Sequence, residues 1–126
     1  MKYNIVAGEE LKKLLIDVLD NPIPFNEDMS KGSYFSKPFC EIFIKERSAV
    51  HHVSPDIYKE KLSMFLKVLK EIKHSDEIHL YFGEDETCIA NREFLIHYFA
   101  KKVKQITLHV VDEYTGKELK IIEVSN

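Results

Sequence analysis

Cysteine is scarce in this chain: Cys40 and Cys88 are the only two among 126 residues. They fall in different predicted elements and form no CxxC pair, which removes zinc knuckles and disulfide frameworks and leaves two free thiols in a reducing compartment. No apolar run approaches the roughly 18 residues that a membrane span needs. The start, Met1-Lys2-Tyr3-Asn4-Ile5-Val6, lacks the apolar segment of a signal peptide, so a soluble, cytoplasmic protein with no membrane contact is expected. A basic stripe is also missing. With 18 Lys and Arg against 21 Asp and Glu the net charge is −3, and no nucleic-acid partner is expected. Neither GxGxxG nor GxxxxGK[ST] occurs, so dinucleotide and P-loop sites have no support, and the histidines form no HExxH and no HxH. No repeat or low-complexity segment is present.

What remains is an ordinary globular composition, 44% apolar and 31% charged, in a length that makes one domain over residues 1–126. Tyr3-Asn4-Ile5-Val6-Ala7 is rich in strand formers and stopped by Gly8. Leu11, Leu14, Leu15, Val18 and Leu19 then fall at helical spacing behind Glu9-Glu10, and Asp20-Asn21-Pro22 ends that helix. Ile23-Pro24-Phe25 reads as a short edge strand and the polar stretch 26–33 as a loop. A second helix is expected with Ser36 as cap and Pro38 in its first turn, carrying Phe39, Phe43, Arg47 and Val50. Ser54-Pro55 starts a third, running to near His74 on Tyr58, Leu62, Phe65, Leu66, Leu69 and Ile72, with His51-His52 at the joint.

Glu77–Phe82 alternates, placing Ile78, Leu80 and Phe82 on one face and His79 and Tyr81 on the other. Cys88, Asn91, Leu95, Tyr98 and Val103 mark a helix that Asp85 or Thr87 can cap. Gln105–Val111 is the most β-prone run, and Thr115-Gly116 turns it into Glu118–Val124. The order β-α-β-α-α-β-α-β-β is that of a small three-layer, Rossmann-like α/β sandwich with a mostly parallel sheet and a C-terminal β-hairpin. In the α+β alternative, the proline-bounded segment Ile23–Phe25 never joins the sheet. If their strands are neighbours, His79 and His109 stand side by side on one face.

Three strand-to-loop junctions would open on one side of such a sheet, where ligands bind in open α/β folds. They are Gly8-Glu9-Glu10, Asn26-Glu27-Asp28 and Gly83-Glu84-Asp85-Glu86. Glu10 and Glu86 read as acids facing the positive end of a helix dipole. Glu9, Glu27, Asp28, Glu84 and Asp85 stand open between that role and contact with a ligand or a cation. Gly8 and Gly83 either expose helix-start amides to a ligand or make tight turns. Arg47 is either a surface arginine on an amphipathic helix or a fork that meets the carboxylates or a bound anion. Cys88 and Asn91 would lie beneath.

These junctions resemble a bacterial family known as domain of unknown function eighteen-thirty-five. The matching segments are Asn4-Ile5-Val6-Ala7-Gly8-Glu9, Ile23-Pro24-Phe25-Asn26-Glu27-Asp28 with Gly32, then Arg47, and Leu80-Tyr81-Phe82-Gly83-Glu84-Asp85 with Cys88 and Asn91. The family pattern carries Asp where this chain has Glu9, and a Trp near the position of Tyr81. The resemblance implies the fold and the residue cluster, and no activity. A weaker likeness is to Toprim-type metal domains, but Ala7 stands where their first glutamate would be, and Glu84-Asp85-Glu86 only imitates their aspartate pair.

The expected function is binding of a polar small molecule, a nucleotide or other phosphorylated metabolite, at the strand ends. Gly8, Glu9, Asn26, Glu27, Asp28, Arg47, Gly83, Glu84, Asp85, Cys88 and Asn91 are the candidate residues. No cofactor and no metal-ligand set is assigned. The alternatives are Mg²⁺-dependent phosphoryl chemistry and a non-catalytic interaction module.

Overall fold

The computed structural model describes residues 1–124. The elements in chain order are β1 (Lys2–Val6), α1 (Glu9–Leu15), β2 (Ile23–Pro24), α2 (Glu41–Val50), α3 (Pro55–Lys61), α4 (Ser63–Leu69), β3 (Glu77–Phe82), α5 (Glu86–Phe99), β4 (Gln105–Val111) and β5 (Glu118–Val124). One sheet takes the strands in the order β2-β1-β3-β4-β5, parallel except for the antiparallel β4–β5 hairpin. The chain leaves β1 for β2 on one side and then crosses to β3 on the other. Strand order therefore reverses beside β1, and a crevice opens at the carboxyl ends of the strands there.

Alternation along the strands divides the sheet into two unlike faces. Tyr3, Ile5, Ile78, Leu80, Phe82, Ile106, Leu108 and Val110 pack with Phe43, Leu62, Phe65, Phe94, Leu95 and Phe99 from the helices α2 to α5. Burying each such side chain contributes roughly 1.5–3 kcal/mol, so this face supplies most of the driving force. The other face is narrow: Val6, Tyr81 and Val111 meet Leu11 and Leu15 of α1. Beyond the reach of that short helix the same face turns polar, with Asn4, Thr107 and a side-by-side His79–His109 pair, Nδ1 to Nε2 2.8 Å.

The segment Ile23–Phe25 does join the sheet: Ile5 and Val6 pair with Ile23 and Pro24, and the Phe25 amide donates to the Val6 carbonyl at 2.9 Å. Pro24 sits on the outer edge, where a missing N–H is tolerated. Several helix boundaries differ from the sequence reading. The first helix closes at Leu15, and residues 16–20 continue only as turns. The second begins at Glu41, with Cys40 rather than Ser36 as the cap. Phe39 adopts a left-handed conformation (φ 67°), which drops its ring among Phe25, Phe43, Phe65, Phe94 and Tyr98. Ser36 instead donates its hydroxyl to Glu46. The long helix expected from Pro55 to His74 breaks at fully buried Leu62 into α3 and α4, and Val103 lies in the turn after α5.

Candidate functional site

The loop after β2 is fixed by side chains rather than by its own backbone. Its anchor is Glu27, whose side chain has no exposed surface. Its carboxylate accepts from Arg47 Nε at 3.0 Å and Nη2 at 3.1 Å, from the Tyr58 hydroxyl at 2.5 Å and from the Asp28 amide at 2.7 Å. His51 Nε2 also lies in hydrogen-bonding contact with Oε1. Burial alone would disfavour the charged form of Glu27, but these donors overcome it, with Arg47 and Tyr58 foremost, and hold its carboxyl below the ordinary value. The same burial, with the Glu27 charge beside it, pushes the Tyr58 hydroxyl far up, so it stays a donor.

Arg47 is fully buried, not a surface residue of an amphipathic helix. Its fork meets a carboxylate, as one expectation had it, and also the carbonyls of Ser33 at 3.3 Å and Asp28 at 2.9 Å. The second support is Asn91 on α5. Its amide donates to the Glu27 carbonyl at 2.7 Å, and its Oδ1 accepts from the Met29 amide at 2.7 Å. Arg47 and Asn91 therefore build the loop from behind and do not face solvent.

Above this floor opens a pocket of about 830 Å³ between the ends of β1 and β2 and helix α3. Glu9, Asn26, Asp28, Glu60 and Lys61 contribute its polar wall, Val53 and Ile57 its apolar wall, and Glu27, His51 and Tyr58 its base. Asn26 is oriented by Glu9, which accepts from its Nδ2 at 3.1 Å, and by the Lys61 carbonyl at 3.0 Å. The pocket holds more acid than base, because the one arginine beneath it is committed to Glu27.

Gly8, Asp85 and Cys88 line a different cavity, of about 520 Å³, between the ends of β1 and β3. It shares Ala7 and Glu9 with the first, so the two hollows adjoin along the end of β1. Asp85 caps α5, accepting from the Cys88 amide at 2.8 Å. Burial opposes its ionisation, but hydrogen bonds from Cys88 keep its carboxyl low. Glu113, from the turn after β4, is pushed up by burial and by Asp85. Burial and then Asp85 push the Cys88 thiol up to about 12, which makes it a poor nucleophile. One ligand atom each from Asp85, Cys88 and Glu113 falls within 4.8 Å of the others, an arrangement able to hold a cation. Glu84 points away into a shallow third hollow beside Asp112, and Gly83 is buried, its carbonyl taken by Arg92 at 3.1 Å.

The expected residues thus converge in two adjoining groups: Glu9, Asn26, Glu27 and Asp28 with Arg47 and Asn91 behind, and Gly8, Asp85 and Cys88. The sequence reading missed His51, Tyr58, Lys61 and Glu113. His51 stood out only as part of a His-His pair at a helix joint, and Tyr58 counted as one more apolar position. Glu113 sits in a hairpin turn, where an acid gives no signal. No family model, curated protein or solved structure matches the chain.

Proposed function

We propose that the chain binds a small polar molecule in the pocket between the ends of β1 and β2. The observation that carries this reading is the base of that pocket, where buried Glu27 holds His51 and Tyr58 in place beneath an open volume of about 830 Å³. Pre-oriented polar groups in a concave, partly apolar site are what a small ligand needs for affinity and orientation. The charge of the lining favours an uncharged or cationic ligand, such as a nucleoside, a polyol or an amine, over a phosphorylated one. Glu9, Asp28 and Glu60 face Lys61 alone, and the Arg47 fork is engaged below. The Mg²⁺-dependent phosphoryl alternative loses its phosphate clamp for the same reason.

The test is an NMR titration of the ¹⁵N-labelled chain with nucleosides, nucleotides, sugar phosphates and polyamines. The expected result is saturable movement of the Asn26, His51 and Lys61 amides with an unphosphorylated compound. If no compound moves them, or only those around Asp85 and Glu113 respond, the pocket is not the binding site.

A further inference from the structure

We propose that His51 is the proton-transfer residue of this pocket, accepting at Nδ1 a proton from a hydroxyl group or a water molecule held there. This rests on the binding role proposed above and adds a chemical step to it. Imidazole can serve in this way only if one ring nitrogen is fixed as a donor to a stationary acceptor and the other is left bare toward the ligand. Both conditions are met. Nε2 faces Oε1 of Glu27, and that carboxylate is immobilised by Arg47, Tyr58 and the Asp28 amide. Arg47 Nη2 also lies 3.4 Å from Nε2, but its two hydrogens go to Oε1 of Glu27 and to the Asp28 carbonyl. The nearer neighbour of Nε2 is that carboxylate, which only accepts, so the hydrogen on the neutral ring belongs to Nε2 and the lone pair to Nδ1. Nδ1 has no protein partner among the described residues and is not enclosed, while the ring lines the cavity and is 21% exposed. Tyr58 lies nearly parallel to the ring, at 14° and 6.4 Å between centroids.

The step balances within the pocket. The ligand or water O–H bond breaks, the oxygen keeps the electron pair, and an Nδ1–H bond forms. The resulting imidazolium keeps its Nε2–H on Glu27, whose negative charge offsets the new positive one. The proton then returns to the product or to a leaving group. The chemistry is thus proton transfer to or from a hydroxyl-bearing or hydrolysable compound held in the cavity. Glu27 acts through His51 and is a positioning residue. The remaining histidines lack this arrangement: His109 has Nδ1 on Glu118 but its Nε2 on His79 Nδ1, so neither ring of that pair has the free nitrogen and fixed partner of His51, and His52, His74 and His97 are exposed.

Two measurements on the full chain decide the matter. Long-range ¹H–¹⁵N spectra of ¹⁵N-histidine-labelled protein report the tautomer of each neutral ring, with His51 assigned by its loss in His51→Asn. A single Nε2–H tautomer is expected for His51, and exposed His74 and His97 serve as internal references for an unfixed ring. An Nδ1–H tautomer, or a mixture like that of the references, overturns the proposal. The second measurement uses p-nitrophenyl acetate, an ester small enough for any open imidazole. His51→Asn is expected to remove the larger part of the protein-dependent hydrolysis, and an unchanged rate overturns the proposal. Both are read without the natural ligand. A chain with the stated tautomer that binds nothing from the NMR panel therefore sinks the binding role, whereas ligand binding with the wrong tautomer sinks only the chemistry.

Discussion

A carboxylate with no exposed surface survives folding only if its charge is met, and Glu27 is met by its own loop, by α2 and by α3. Taking away one partner of a buried pair leaves the other charged and unpaired, at a cost of about 3–5 kcal/mol. Arg47→Met is therefore expected to lose about that much unfolding free energy in urea. A loss under about 1 kcal/mol would mean that Glu27 is not ionised in the native protein. Its depressed carboxyl also sets a pH dependence. The stability it contributes is present above the ordinary value of 4.5 and is lost as pH falls through the lower native value. The Arg47→Met penalty should shrink over that acid range. Glu113 runs the other way, its carboxyl raised by burial and by Asp85, so that it destabilises the native state once it ionises. Glu113→Gln is expected to raise the Tm at pH 7 and to match the parent near pH 4. A lower Tm at pH 7 would show that the charge is wanted there, for instance by a bound cation. From the sequence, Glu27 was visible as an acid at a strand end. Its burial was not, because two of its donors, His51 and Tyr58, lie 24 and 31 residues further along.

At the scale of elements, alternation located the strands, whereas helical spacing located helices without fixing where they end. β3, β4 and the hairpin followed from alternation and a Thr-Gly turn. The cap signal at Ser36-Pro38 failed because the aromatic cluster draws Phe39 inward, and the single left-handed residue there moves the helix start to Glu41. The continuous apolar stripe from Tyr58 to Ile72 gave no hint of the break at Leu62, since both short helices present the same kind of face. The loop that carries Glu27 depends on another position of this kind. Gly32 has φ +64°, and a Cβ added there would come within 2.6 Å of Val50 Cγ2 on α2. Gly32→Ala is expected to cost about 1–3 kcal/mol from backbone strain alone. Gly8 makes the contrast: its φ of 174° is extended, and the nearest atom to an added Cβ is Asn26 Oδ1 at 3.8 Å. Gly8→Ala should leave stability within about 0.5 kcal/mol in the same urea titration. An equal loss at both glycines would show that the two loop conformations are not those described.

At the scale of the whole molecule, the two faces of the sheet are unequal in cover. Four helices pack one face and a single seven-residue helix the other, so β1 and β3 are enclosed while the sheet thins toward β5. Among the described residues β5 pairs with β4 alone, and its residues 118–123 are exposed, Leu119, Ile121 and Ile122 among them. Local opening costs least where few apolar contacts must be broken, so amide exchange should rank the strands by enclosure. Peptides covering 118–124 are expected to exchange well before those covering 77–82, with the loop 26–33 protected beyond its lack of secondary structure because Glu27, Arg47 and Asn91 tie it to the core. If β5 exchanges as slowly as β3, something covers its free edge, and dilution then separates the two sources of cover. Protection that fades on dilution comes from a second copy of the chain, whereas protection that persists comes from within it. Either outcome leaves the pocket untouched, since it lies at the opposite edge of the sheet, beside β2.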